Sequence, residues 1–153
     1  MQLASLADPS LVFTHVPGGD AISVLRSFAE RIVKADVADA GTAEDLFQAL
    51  WEREQLGSTG IGAGVAIPHC KIAGLERVLL AFGYSREPVD FGAVDGEPVQ
   101  LFFVVASPAS DPAAHLQCLA TISKWIQQSG GIDRLLKISD PQELYAAMAD
   151  GGD

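Results

Sequence analysis

Cysteine, positive charge and long apolar runs are all scarce in this chain. Its two cysteines, Cys70 and Cys118, are too few and too far apart for a disulfide framework. Lysine and arginine number 10 against 20 aspartates and glutamates, a formal charge of −10, with a pI near 4.5. That balance argues against attraction to nucleic acid or to an anionic membrane. It suits a basic or mixed-charge protein partner, although acidity also serves solubility alone. No apolar run approaches the roughly 20 residues that span a bilayer. The opening MQLASLADPS lacks the basic start and sustained apolar stretch of a secretory signal. With no internal repeat, low-complexity tract or linker, residues 1–153 are expected to form one cytoplasmic domain without membrane insertion.

Apolar residues make up 48% of the chain and charged residues 20%, the balance of a globular protein able to bury a core. Leu11, Val12 and Phe13, continuing to Val16, suggest a strand closed by Pro17-Gly18-Gly19. Asp20 is placed to cap a helix in which Ile22, Leu25, Phe28 and Ile32 recur at helical spacing. His15 stands beside the turn with no motif around it and reads as an incidental surface or satisfied histidine. Thr42 is the next capping residue, and its helix carries Leu46, Leu50 and Arg53 on one face until Gly57. Val78 to Phe82 and Leu101 to Ala106 read as buried strands, with a loop or hairpin between them. Ser110 or Asp111 caps a long helix entered through Pro112, on which His115, Leu119, Ile122 and Ile126 form the inward stripe. A turn over 132–136 and a last helix started by Ser139, with Asp140 and Pro141 after it, and running through Leu144 and Met148 complete the chain, with Gly130-Gly131 ending the helix before them. Strands interleaved with amphipathic helices give an α/β class in which helices cover a central sheet.

The chemistry concentrates in LWEREQLGSTGIGAGVAIPHCK, Leu50 to Lys71. Glycines at 60, 62 and 64 permit positive φ, so this loop can turn amide hydrogens toward an anion. Ser58 and Thr59 add hydroxyls, and Pro68 stiffens the approach to His69. Arg53, in the last helical turn before the loop, is aimed at whatever the loop surrounds. A neutral imidazole is a usable nucleophile near pH 7, and phosphoryl transfer asks mainly for positioning and charge stabilisation. His69 therefore reads as a phosphorylatable histidine, Arg53 as its charge partner, and Ser58, Thr59 and Gly60 as phosphate-binding hydrogen-bond donors.

The wording R-E-x-L-G-S-T-G-I-G-x-G-x-A-I-P-H, from Arg53 to His69, resembles the active-site signature of the fructose/mannitol-type (type 2) enzyme IIA of the bacterial phosphotransferase system, and in particular its nitrogen-regulatory branch. The similarity continues through DGEPVQLFFVVASPASDPAAHLQCLATIS, Asp95 to Ser123, and so covers most of the chain. The resemblance implies a central mixed five-stranded β-sheet flanked by helices on both faces. It also implies phosphorylation of His69 on Nε2, with His115 as a second active-site histidine and Arg53 beside them. The implied donor is an HPr-like phosphocarrier protein, with no cofactor and no metal. In the regulatory branch the phosphorylation state is itself the output, and partners include potassium-transport and sensor-kinase proteins. The alternatives are a sugar-specific enzyme IIA that passes phosphate to a IIB component, and a binding regulator that has lost phosphotransfer.

The chain departs from the family pattern at Cys70, where glycine commonly follows the histidine. Free cysteine ordinarily behaves as a small buried hydrophobe, and that is the reading here. His69, Cys70, His115 and Cys118 could converge on zinc. Against this, His69 and Cys70 are adjacent and would leave an extended segment in opposite directions.

Overall fold

Two apolar runs sit side by side at the centre of the molecule, and everything else is arranged around them. In the computed structural model, which describes residues 3–128 and 132–150, they form strands β5 (Leu79–Val89) and β6 (Val99–Pro108), paired antiparallel. Around them stand α1 (Leu3–Leu6), β1 (Ala7–Phe13), α2 (Ala21–Ala35), α3 (Ala43–Leu56), β2 (Gly60–Gly62), β3 (Val65–Ala66) and β4 (His69–Ile72). After β6 come α4 (Pro112–Gln128), a 3-10 turn at Leu135–Lys137 and α5 (Pro141–Asp150). The sheet runs in the order β1-β5-β6-β3-β2, with β4 also on β6. It is mixed: β1 lies parallel to β5, and β3 and β4 both lie parallel to β6. The described strands number six because Ile67-Pro68 divides one line of strand into β3 and β4. Proline has no amide hydrogen to give the ladder, and the Pro68 carbonyl instead accepts from Val105 N at 2.9 Å.

Strand period two decides which helices each side chain meets. Phe102, Val104 and Ala106 join a core with Val24, Leu25, Phe28, Leu46 and Leu50 of α2 and α3. Leu101, Phe103 and Val105 join the opposite core, with Leu3 of α1, Ile122 and Trp125 of α4 and Leu144 and Met148 of α5. Helices thus cover both faces. Trp125 stands edge-on to Phe82 and Phe103, at ring separations of 6.2 and 5.5 Å, and cutting such a buried ring to alanine costs about 3–5 kcal/mol.

The caps expected at Asp20, Thr42 and Asp111 form, and the last helix is capped by Asp140 rather than started by Ser139. Asp20 accepts from Ser23 N at 2.8 Å, Thr42 from Asp45 N at 3.1 Å, Asp111 from Ala114 N at 3.1 Å and Asp140 from Glu143 N at 3.2 Å. Several boundaries differ from the sequence reading. Ile22 is 42% exposed and Val24 takes its place in the core, because the buried stripe of α2 is set by Val24, Leu25, Phe28, Ala29 and Ile32. On α4 the fully inward positions are His115, Cys118, Ile122 and Trp125, so Leu119 and Ile126 flank the stripe. β5 runs past Gly83 to Val89, since β6 continues opposite it and Val89 pairs with Val99. Gly130-Gly131 lies outside the described residues.

Candidate functional site

β4 has β6 on one side and no further strand on the other among the described residues. His69 opens β4 in register with Val105, and Cys70 follows in register with Ala106. Alternation therefore sends Cys70 into the core beneath α2 and α3 and leaves His69 half-buried at the sheet's rim. From one face α3 presents Arg53, whose Nε donates to His69 Nε2 at 3.2 Å. From the other face α4 presents His115, its ring centroid 5.4 Å from that of His69. The three line a cleft of about 570 Å³ together with Glu52, Leu56 and Lys71.

The hydrogen bonds of His69 fix its tautomer. His69 Nδ1 lies 2.7 Å from the carbonyl oxygen of Ile67. A carbonyl can only accept, so Nδ1 carries the proton and Nε2 keeps its lone pair. That lone pair faces the guanidinium of Arg53. A second arm of Arg53, Nη1, donates to the Gly57 carbonyl at 2.8 Å, which braces the guanidinium on the end of its own helix. His115 is buried, and its Nδ1 lies 2.8 Å from Ser107 Oγ, the polar residue next along the face of β6 that carries Val105.

Burial favours the neutral form of both rings. Loss of solvent pulls the pKa of His69 below 6.5, and the nearby positive charges of Arg53 and Lys71 act in the same direction. The Ile67 hydrogen bond and the Glu54 carboxylate oppose them only in part. His115 is lowered first by burial, then by His69 and Lys71. The thiols are different. Burial pushes Cys70 and Cys118 up to about 12, so neither is a thiolate nucleophile near neutrality. Cys118 packs in the core opposite to that of Cys70, which separates the four candidate zinc ligands. Among the described residues no three His, Cys, Asp or Glu side chains gather as metal ligands.

Ser58, Thr59 and Gly60 do not form the anticipated cradle. The Thr59 amide and hydroxyl donate to the two carboxylate oxygens of Glu54, at 2.8 and 2.6 Å. The Ser58 hydroxyl donates to the Phe91 carbonyl, and the Gly60 amide donates to Ser58 Oγ at 3.0 Å. The glycines serve a hairpin instead: Gly62, Ala63 and Gly64 all take positive φ, at 97°, 57° and 79°, to reverse the chain between β2 and β3. The Ala63 amide is tied to Asp95 Oδ2 at 3.1 Å. Glu54, Ser107 and the Ile67 carbonyl were not singled out from the sequence. Glu54 carried a usable signal, since a carboxylate in a helix's last turn opposes the dipole and needs donors from beyond it. Ser107 carried a weaker one, as a polar residue ending an apolar strand.

Residues 5–151 match the family model described as the phosphoenolpyruvate-dependent sugar phosphotransferase system, EIIA 2. A nitrogen regulatory protein of Pseudomonas aeruginosa is 34% identical, over 98% of this chain and 96% of that one. A nitrogen regulatory protein of Bradyrhizobium diazoefficiens is 32% identical, over 97% and 95%. Among solved structures, nitrogen regulatory protein IIA-Ntr of Neisseria meningitidis superposes with a TM-score of 0.84 at 30% identity, covering 95% of this chain and 98% of its own. Mannitol IIA of Escherichia coli shares the fold, with a TM-score of 0.76 at 21% identity, covering 93% and 98%. With its sheet, its paired histidines and a match spanning nearly its whole length, this chain belongs to the type 2 EIIA family of the phosphoenolpyruvate-dependent sugar phosphotransferase system.

Proposed function

We propose that this protein is a phosphocarrier of the nitrogen-regulatory kind, accepting a phosphoryl group on Nε2 of His69 from a phosphohistidine on an HPr-like carrier. The observation that carries the reading is the pinned tautomer: Nδ1–H held by the Ile67 carbonyl, Nε2 bare and facing Arg53. In the transfer, the donor's N–P bond breaks as the Nε2–P bond forms, and the electron pair returns to the donor imidazole. His69 keeps its Nδ1 proton throughout, so its ring becomes a phosphorylated cation stabilised by the carbonyl. Arg53 leaves its contact with Nε2 and neutralises charge on the transferring oxygens. His115, braced by Ser107, positions His69 or contacts the phosphoryl group. Lys71 adds positive charge at the cleft mouth.

The regulatory output rests on the relatives, two of which are named nitrogen regulatory proteins along almost their full lengths. In that role the phosphorylation state controls partner proteins such as potassium-transport or sensor-kinase proteins, in the cytoplasm. A second reading has its own support: a protein of Haloferax volcanii named fructose-specific EIIA component is 34% identical over 73% of this chain. On that reading His69 passes its phosphoryl group to a IIB component. Both readings use the same chemistry at His69. Incubation with phosphoenolpyruvate, enzyme I and each candidate carrier, followed by intact-mass and peptide measurement, tests it. One acid-labile phosphoryl group on the peptide holding His69 is expected; a protein that stays unmodified with every carrier overturns the proposal.

A further inference from the structure

A second cavity, of about 410 Å³, opens where the chain leaves β1, lined by His15, Pro17, Gly18, Arg31, Ser85, Arg86 and Glu87. It is remote from the cleft. Leu80 is paired with Val105, the residue in register with His69, and Ser85 lies five residues further along β5, about 17 Å away at strand rise. The chain has only 10 cationic side chains against 20 acidic ones, yet two arginines and a histidine meet here. Neither arginine forms an ion pair among the described residues. Among the described residues the one ion pair is Arg26 with Glu44, so Glu87, on the same wall, does not pair with either.

The walls are held in place before any ligand arrives. Arg31 lies over the ring of Phe13, 5.3 Å from its centroid, half-buried, and the loss of solvent lowers its pKa. Arg86 Nε donates to His15 Nδ1 at 3.3 Å, which leaves the proton of a neutral His15 on Nε2 as a further donor. The backbone beneath Arg86 is clamped by Gln100, whose amide donates to the Ser85 and Arg86 carbonyls at 3.2 and 3.0 Å. Gly18 lets the opposite wall close, since a Cβ there would lie 2.9 Å from Ser85 Oγ and 3.0 Å from Glu87 Cβ. Guanidinium groups offer several donors in fixed planes that match phosphate oxygens, and a concave positive site in an acidic protein focuses its field on anions.

We propose that this cavity binds a small phosphate-bearing anion through Arg31, Arg86 and His15, as a second ligand site separate from the phosphorylated histidine. The test is titration of the isotopically labelled full chain with inorganic phosphate, with glycerol 3-phosphate and with chloride at matched ionic strength, followed by amide chemical shifts. Saturable shifts at Gly18, Gly19, Ser85 and Arg86 are expected with a phosphate ligand and not with chloride. Tighter binding of glycerol 3-phosphate identifies a phosphomonoester as the occupant, and equal binding identifies free phosphate. Arg86→Gln, an exposed and structurally mild change, should weaken binding about ten-fold or more, and Arg31→Gln likewise. His69→Ala should leave these shifts intact. Shifts confined to the Arg53–His69–His115 cleft, equal shifts with chloride, or an affinity indifferent to Arg86→Gln would each overturn the proposal.

Discussion

Among the described residues an arginine Nε donates to a histidine nitrogen twice, and the two pairs are built to opposite ends. At the cleft, Arg53 meets His69 Nε2 at 3.2 Å; at the far cavity, Arg86 meets His15 Nδ1 at 3.3 Å. The distances hardly differ. The surroundings do. His69 is half-buried, has its other nitrogen fastened to the Ile67 carbonyl and a second imidazole alongside. His15 is exposed, against the edge of Tyr84 at a ring separation of 6.4 Å. On the proposed function, an Arg–His contact by itself is no sign of a nucleophile. A backbone acceptor that fixes the tautomer, and burial that favours the neutral ring, make the difference.

The largest test of that contrast exchanges the histidines. His69→Ala should reduce phosphoryl uptake by about 10³-fold or more, because the nucleophile is gone, whereas His15→Ala should leave the initial rate within about two-fold. Equal losses in radiolabel transfer from a phosphorylated carrier would erase the distinction drawn here. Next comes the arginine. Arg53→Gln should slow transfer by about 10²–10³-fold, the range for removing a donor from developing charge, while Arg86→Gln should not slow it.

Smaller effects sharpen the comparison. The depressed pKa of His69 predicts that the acid limb of the uptake rate has its midpoint below pH 6.5. A midpoint at or above 6.5 in the stopped-flow pH profile speaks against a desolvated nucleophile. Stability follows the same sign. His69 and His115 are both lowered from 6.5 in the folded chain, so the unfolded chain binds more protons below that pH. Their contribution is fully present above about 6.5 and is lost as pH falls toward their folded values. Denaturant midpoints should drop over that window, and less so in His69→Ala. The smallest expected effect is Glu54→Gln, which weakens the clasp on Thr59. It should cost about 1–2 kcal/mol by denaturant unfolding, with a few-fold slower uptake as Arg53 loosens at the helix end.

Much of this was legible in the sequence where the physics is local. Capping by Asp20, Thr42 and Asp111 is a matter of side chains reaching amides a few positions on, and each cap formed. His115 lies in the α4 stripe and reaches the cleft because it sits in the first turn after β6. What the sequence did not show depends on contacts made across the fold. The glycine-rich segment has the composition of an anion cradle, but its polar groups are taken by Glu54, Phe91 and Asp95, the last two more than thirty residues away. The Ile67 carbonyl has no side-chain signature at all, though it fixes the tautomer of His69. The cavity at Arg86 joins residues 71 positions apart, beyond the reach of any motif.

The central claim is that Nε2 of His69 reacts because Nδ1 is held by the backbone. Imidazole nitrogen spectra of the phosphorylated, 15N-labelled chain test it directly. The account predicts phosphorus coupling to Nε2 of His69 and a proton retained on Nδ1. Phosphorus on Nδ1, or on His115 instead, would contradict it.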